Sequence, residues 1–187
     1  MSELKVAVFA SGSGSNFQAM LDAALPCRIE LLVCDKPGAK VVERAKKKDV
    51  PVWEFSPQAF PSKEAYEQAI VEQLQERKVE WIFLAGYMRL VGPVLLGAYA
   101  NRMINIHPSL LPKFPGLDAI GQAFRAGERE TGVTVHYIDE GMDTGPIIAQ
   151  ESVDIYPNDT METLETRIHQ VEHMLYPQVI RKLIKCK

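Results

Sequence analysis

Val6-Ala7-Val8-Phe9-Ala10 runs directly into Ser11-Gly12-Ser13-Gly14-Ser15-Asn16, and this junction limits the fold more than any other stretch of the chain. A short, wholly apolar run is the signature of a strand buried on both faces. The glycines end it in a turn. Beyond the turn, Phe17, Met20, Leu21 and Ala24 recur at helical spacing, so a helix begins near Asn16. A buried strand that passes through a glycine turn into a helix is the opening unit of an open α/β sheet.

The alternation continues. Ile29 to Cys34 reads as a second buried strand, Lys40 to Lys48 as a helix and Val52 to Phe55 as a short strand. Lys63 to Arg77 is the clearest helix, with Tyr66, Ile70 and Leu74 forming its apolar stripe. Trp81 to Ala85 and Met103 to Ile106 are strands, with a short helix from Pro93 to Tyr99 between them. The pattern then changes. Val133 to Ile138 and Ile147 to Val153 are strand-like runs joined by a loop, which predicts an antiparallel addition at one side of the sheet. Thr160 to Leu183 closes the chain as a long amphipathic helix, with Thr160, Glu162 and Thr163 at its start and a candidate break at Pro177. The predicted class is α/β, a single Rossmann-like domain over residues 1–187 with a mostly parallel twisted sheet and helices on both faces.

Composition narrows the function. A chain of 187 residues, 47% hydrophobic and 24% charged, can bury one substantial core. A net charge of -3 gives no reason to expect nucleic acid as a partner. Cys27, Cys34 and Cys186 show neither a disulfide framework nor C-x-x-C spacing. No apolar run approaches the roughly 20 residues of a membrane helix, and the N-terminus lacks a signal-peptide stretch. The expectation is a cytoplasmic protein without a membrane partner.

Four constellations carry the chemistry. Glycines in the Ser11–Asn16 loop let the backbone approach an oxyanion, and the helix that follows supplies free N–H groups. A dinucleotide site is a rival reading, because Gly12-x-Gly14 begins that fingerprint and Asp35 could hold a ribose. Phe17 at the third glycine position argues against it. In Asn105-Ile106-His107-Pro108-Ser109, residues two apart share a strand face, so Asn105 and His107 project together at a strand's C-terminal end. An imidazole can exchange a proton near neutral pH, and an amide can steady an oxyanion. Asp139 to Pro146 gathers three carboxylates and two glycines, by itself the composition of a solvated turn. His169-Gln170-Val171-Glu172-His173 matches a zinc-protease helix motif, but no acidic residue or histidine follows His173 to complete the ligand set. No metal is expected.

Together these segments resemble the glycinamide ribonucleotide transformylase family. The resemblance runs through Val6–Asn16, Leu84-Ala85-Gly86-Tyr87-Met88-Arg89, Asn105 to Pro112, Phe114-Pro115-Gly116, Gly132 to His136 and Asp143-Thr144-Gly145-Pro146. It implies that Gly14, Ser15 and Asn16 hold the substrate phosphate and that Glu172 contacts the ribosyl substrate. Lys63, Met88, Arg89, Leu90, Val91 and Asn105 would bind folate, and Asn105, His107 and Asp143 would form the catalytic group. It further implies 10-formyltetrahydrofolate as a consumed co-substrate, glycinamide ribonucleotide as acceptor, and no tightly bound cofactor. Some relatives carry histidines after Phe114-Pro115-Gly116, where this chain reads Leu117-Asp118-Ala119-Ile120-Gly121. Other folate formyltransferases and formyl hydrolases are the nearest alternatives, and a phosphate-binding module is a third. The oligomeric state is left open, a homodimer included.

Overall fold

Along the strand Leu4–Ala10 (β1), successive side chains go to opposite faces. Val6, Val8 and Ala10 enter one core, and Ala7 and Phe9 enter another. Every buried strand must therefore be covered twice. The computed structural model describes residues 2–186. In chain order its further strands are Cys27–Cys34 (β2), Val52–Glu54 (β3), Trp81–Leu84 (β4), Met103–His107 (β5), Glu130–Tyr137 (β6) and Ile147–Asp154 (β7). The helices are Ser15–Asp22 (α1), Lys40–Lys47 (α2), Lys63–Glu76 (α3), Pro93–Ala98 (α4), Ala119–Arg125 (α5) and Met161–Lys185 (α6).

The seven strands lie in the order β3-β2-β1-β4-β5-β6-β7. β1 to β5 pair in parallel, and β6 and β7 continue the sheet antiparallel, as the sequence predicts. Phe17 and Met20 of α1, Val41 and Ala45 of α2, Ile120 of α5 and Leu164, Ile168 and Tyr176 of α6 fill the first core. Tyr66, Ile70 and Leu74 of α3 and Leu95 of α4 fill the second, so the predicted stripe of α3 faces the sheet. Buried Glu67 of α3 accepts from the Gly92 N–H at 2.7 Å and the Leu95 N–H at 3.2 Å. Its charge is thus met by the open N–H groups at the start of α4.

Two features depart from the expectation. Helix α5 is not evident in the sequence, because it lacks both a capping side chain and the opening proline that marks the similarly short α4. The break at Pro177 does not occur, and α6 runs unbroken from a reciprocal cap between Thr160 and Thr163. Proline removes one hydrogen bond inside a helix. Here Pro177 is buried beside Tyr176, Val179 and Ile180, which are held in the first core. The fully buried Tyr176 hydroxyl donates to the Leu84 carbonyl at 2.7 Å and lies 3.3 Å from that of Ile104. This ties α6 to two adjacent strands across the proline.

Tyr176→Phe keeps the ring and deletes that tie. It should lower stability by about 1 kcal/mol, or roughly 2–4 °C in Tm, read by thermal unfolding. An unchanged Tm would mean that the hydroxyl contributes nothing net.

Candidate active site

β1 and β4 are neighbours, yet the chain leaves β1 toward β2 on one side and reaches β4 only after β3 on the other. At such a switch point the connections diverge, and a crevice opens at the carboxyl ends of the strands. The crevice wall is fixed by Ser11 N–H donating to the Gly86 carbonyl at 3.1 Å and Ala85 N–H donating to that of Phe9 at 2.8 Å.

The glycine loop lies at one end. Gly14 has φ 78°, and a Cβ there would sit 2.5 Å from Val41 Cγ2 and 2.9 Å from Val41 Cα. Only glycine fits this approach of the loop to α2. Loop carbonyls are taken: Val41 N–H donates to Gly12 at 3.0 Å, and Arg44 Nε to Ser13 at 2.7 Å. No side chain caps α1, so its first N–H groups lack intrahelical partners. Ser11 Oγ donates to Asp35 and accepts from Met88 N–H at 2.9 Å. Arg89 Nε donates to the other Asp35 oxygen at 2.9 Å. Asp35 is only 2% exposed, so it is closed to a ribose, and the dinucleotide reading loses its acidic anchor.

A cleft of about 550 Å³ runs from this loop across the ends of β4 and β5. Asn16, Met88, Arg89, Leu90, Val91, Asn105, His107, Asp143 and Glu172 all line it. Gly14 and Ser15 adjoin it through Asn16 without lining it. Lys63 stands outside, at the start of α3, with its Cε near Gly92, the neighbour of Val91. Met88, Leu90, Leu117 and Met142 are exposed apolar side chains at the cleft.

Asn105 and His107 share a face, and Ile106 packs into the first core behind them. His107 Nε2 lies 2.9 Å from the Phe114 carbonyl, which only accepts, so Nε2 carries a proton. The buried Ser109 hydroxyl fixes that loop by donating to the Lys113 carbonyl at 2.6 Å. Nδ1 of His107 faces Asp143 Oδ2 at 3.5 Å. A substrate therefore meets His107 either by displacing the Phe114 carbonyl or at Nδ1 beside the carboxylate. Asp143 Oδ2 also accepts from Gly116 N–H at 2.8 Å, and Oδ1 lies 3.6 Å from His136 Nε2. Burial pushes the Asp143 carboxyl up, but the Gly116 N–H and the charge of His107 act against it, and the group is held below its usual range. Phe114 (φ 53°) and Asp143 (φ 57°) both occupy the left-handed region. The two groups gripping His107 thus sit on strained backbone, an arrangement that clusters at functional sites.

The opposite wall comes from α1 and α6. Glu172, 4% exposed, accepts from Asn16 Nδ2 at 3.1 Å and pairs with His169 Nδ1 at 3.0 Å. The bond to Glu172 raises the His169 pKa against the opposing effect of burial. Burial lowers that of His173, one turn further on. The zinc-like motif is thus spent on a Glu–His–Asn contact, and no group of three metal-ligating side chains is poised among the described residues. Asp118 pairs with Arg125 at 2.7 Å.

Sequence reading gave no role in this site to His136 or to the Phe114 and Gly116 backbone groups, and it singled out His169 only as part of the zinc-like motif. His169 could have been found as the residue three before Glu172 on one helix face. His136 could not, because its place depends on the pairing of β6 with β5.

An open α/β sheet that sets an amide, an imidazole and a carboxylate beside a glycine loop at its switch point is the arrangement of an enzyme site, able to steady an oxyanion and move a proton. The chain belongs to the formyl transferase family, whose model matches residues 4–180. It is 58% identical over 184 residues to a phosphoribosylglycinamide formyltransferase of Bacillus subtilis, covering 96% of this chain and 94% of that protein. Among solved structures, glycinamide ribonucleotide transformylase 1 of Geobacillus kaustophilus superposes with a TM-score of 0.95 at 63% identity, covering 97% of this chain and 99% of that one. Phosphoribosylglycinamide formyltransferase of Bacillus halodurans gives 0.96 at 59% identity, covering 98% and 97%.

Asp143→Asn keeps the shape and tolerates φ > 0, but cannot titrate. Because the folded carboxyl is held low, its stabilisation is complete above the unfolded value of about 3.9 and is lost as pH falls through the folded value. The Tm gap between parent and variant should be widest near neutrality and close in acid. A gap that widened in acid would contradict the assignment.

Proposed function

We propose that this protein transfers the formyl group of 10-formyltetrahydrofolate to the amine of glycinamide ribonucleotide, a step of purine (IMP) biosynthesis. The observation that carries this reading is the convergence of Asn105, His107 and Asp143 on one wall of a cleft that ends at a glycine loop with free helix N–H groups. The formyl transferase family and its phosphoribosylglycinamide members support it.

In this reading the phosphate rests on the backbone of Gly14, Ser15 and Asn16, and Glu172 contacts the ribosyl substrate. The folate enters between Met88, Arg89, Leu90 and Val91 and the exposed apolar rim. Lys63, outside the cleft beyond Val91, meets the part of the folate that protrudes. The substrate amine attacks the formyl carbon, forming a C–N bond and an oxyanion. The Asn105 amide and protonated His107 stabilise that oxyanion. The bond to folate N10 then breaks, and one proton lost by the amine is delivered to N10, with His107 as relay and Asp143 holding the imidazole. The folate leaves as product, so no tightly bound cofactor is needed.

Residues 1–187 act as one formyltransferase domain in the cytoplasm. Among the described residues no helix is long and apolar enough to cross a membrane. A homodimer is part of the reading, and sedimentation across a concentration series tests it.

The first test incubates the protein with 10-formyltetrahydrofolate, with and without glycinamide ribonucleotide. Deformylated folate should appear only when both are present. Release without the acceptor would make the protein a hydrolase, and no release in either arm would defeat the reading. Asn105→Ala and His107→Ala should each cut turnover by about 100- to 10,000-fold while leaving KM largely unchanged. The double variant should lose less than the product of the single losses, because both residues serve one oxyanion. Near-normal turnover in His107→Ala would sink the mechanism.

A further inference from the structure

His136 has no part in the mechanism above, yet it stands directly across the β5–β6 ladder from Asn105. It is 1% exposed. Beside it the β6–β7 ladder skips a residue, since Val135 pairs with Ala149 and His136 with Ile147. Such bulges re-aim side chains and recur next to active sites. Three groups meet the ring: the Tyr137 carbonyl 2.8 Å from Nδ1, Asn105 Nδ2 3.4 Å from Nε2, and Asp143 Oδ1 3.6 Å from Nε2.

We propose that His136, neutral and with its proton on Nδ1, is a positioning residue that sets the orientation of the Asn105 amide. The inference rests on the formyl-transfer reading. A carbonyl only accepts, so the short contact to Tyr137 places a proton on Nδ1. In the neutral ring, Nε2 is then an acceptor. The Asn105 amide can donate to it, whereas the Asp143 carboxylate cannot and lies beyond hydrogen-bond reach. One amide hydrogen is thereby committed to His136, which leaves the other for the cleft.

The alternative orientation matters chemically. An asparagine amide can turn by half a revolution, and its oxygen and nitrogen are told apart only by their partners. Turned over, Asn105 would present its carbonyl to a developing oxyanion and repel it. With an acceptor at Nε2, the flipped amide would also set oxygen against a lone pair. His136 therefore selects the orientation in which Asn105 is a donor. Were Nε2 protonated, it would instead donate toward Asp143, and Asn105 would lose its guide.

The two conservative replacements separate this role from packing. Glutamine approximates the reach of Nε2, and its oxygen can accept from Asn105. Asparagine approximates Nδ1 and can keep the Tyr137 contact alone. His136→Asn should lower kcat by about 10- to 100-fold, less than the full loss of an oxyanion donor, with KM little changed. His136→Gln should retain most of kcat. In an Asn105→Ala background, His136→Asn should cost almost nothing further. Equal losses in the two single variants, or a full additional loss in the Asn105→Ala background, would overturn the proposal. Nitrogen NMR of the ring in the parent protein gives a readout independent of turnover. Protonated Nδ1 with bare Nε2 is expected, and a proton on Nε2 would overturn the inference even in a protein that folds and transfers formyl groups. If the parent transfers no formyl group, the functional reading fails, while the ring measurement still decides the tautomer.

Discussion

The crevice exists because one sheet is built outward in two directions from β1. β2 and β3 extend it one way, and β4 and β5 the other. Helices leaving the two sides cover opposite faces, so none crosses the carboxyl ends of β1, β4 and β5. Each of those strands delivers one part of the site at the same level: a glycine loop, the Met88–Val91 segment, and the Asn105–His107 pair. The antiparallel strands add to this frame without altering it. β6 lays His136 against Asn105, and the loop after it returns Asp143 over His107.

Within that frame, charge is placed where fixed dipoles or partners meet it. Asp35 is buried under Ser11 and Arg89, Glu67 under the start of α4, and Glu172 between Asn16 and His169. Glu67 and Glu172 each link two helices that the sheet does not join, and Asp35 ties the ends of β1 and β2 to the segment after β4, at sites where an unpaired charge would be costly. Asp143 differs. It is partly exposed and sits in left-handed backbone at the cleft, meeting two histidines without a short bond to either. Asp35 and Glu67 lie behind the cleft lining, whereas Glu172 and Asp143 both face the space inside it.

Much of this was legible in the sequence because it follows from local period. The apolar run before Gly12 and Gly14 marks β1 and its turn, and the spacing of Asn105 and His107 places both side chains on one face. The antiparallel turn of the sheet shows as two strand runs with no helix between them. What escaped was set by tertiary contacts. Helix α5 has neither an opening proline nor a side-chain cap to announce it, and Pro177 reads as a breaker because the Tyr176 hydroxyl bonds cannot be seen in one dimension. The demand for glycine at position 14 comes from Val41 as well as from any ligand, a contact that sequence spacing cannot supply. Lys63 carries a family signal but no geometry, and it stands beside the cleft rather than in it.

Tyr176 also acts as an index pin. A helix that slips by one residue advances about 1.5 Å and turns about 100°. The Tyr176 hydroxyl meets the Leu84 and Ile104 carbonyls in one setting of α6, and that setting is the one in which Glu172, one turn earlier, reaches Asn16 at 3.1 Å. A slip in either direction would break both engagements together. The width of the crevice between α6 and the glycine loop is thus gauged from beneath, by a phenol lodged between two strand carbonyls on the far side of the core.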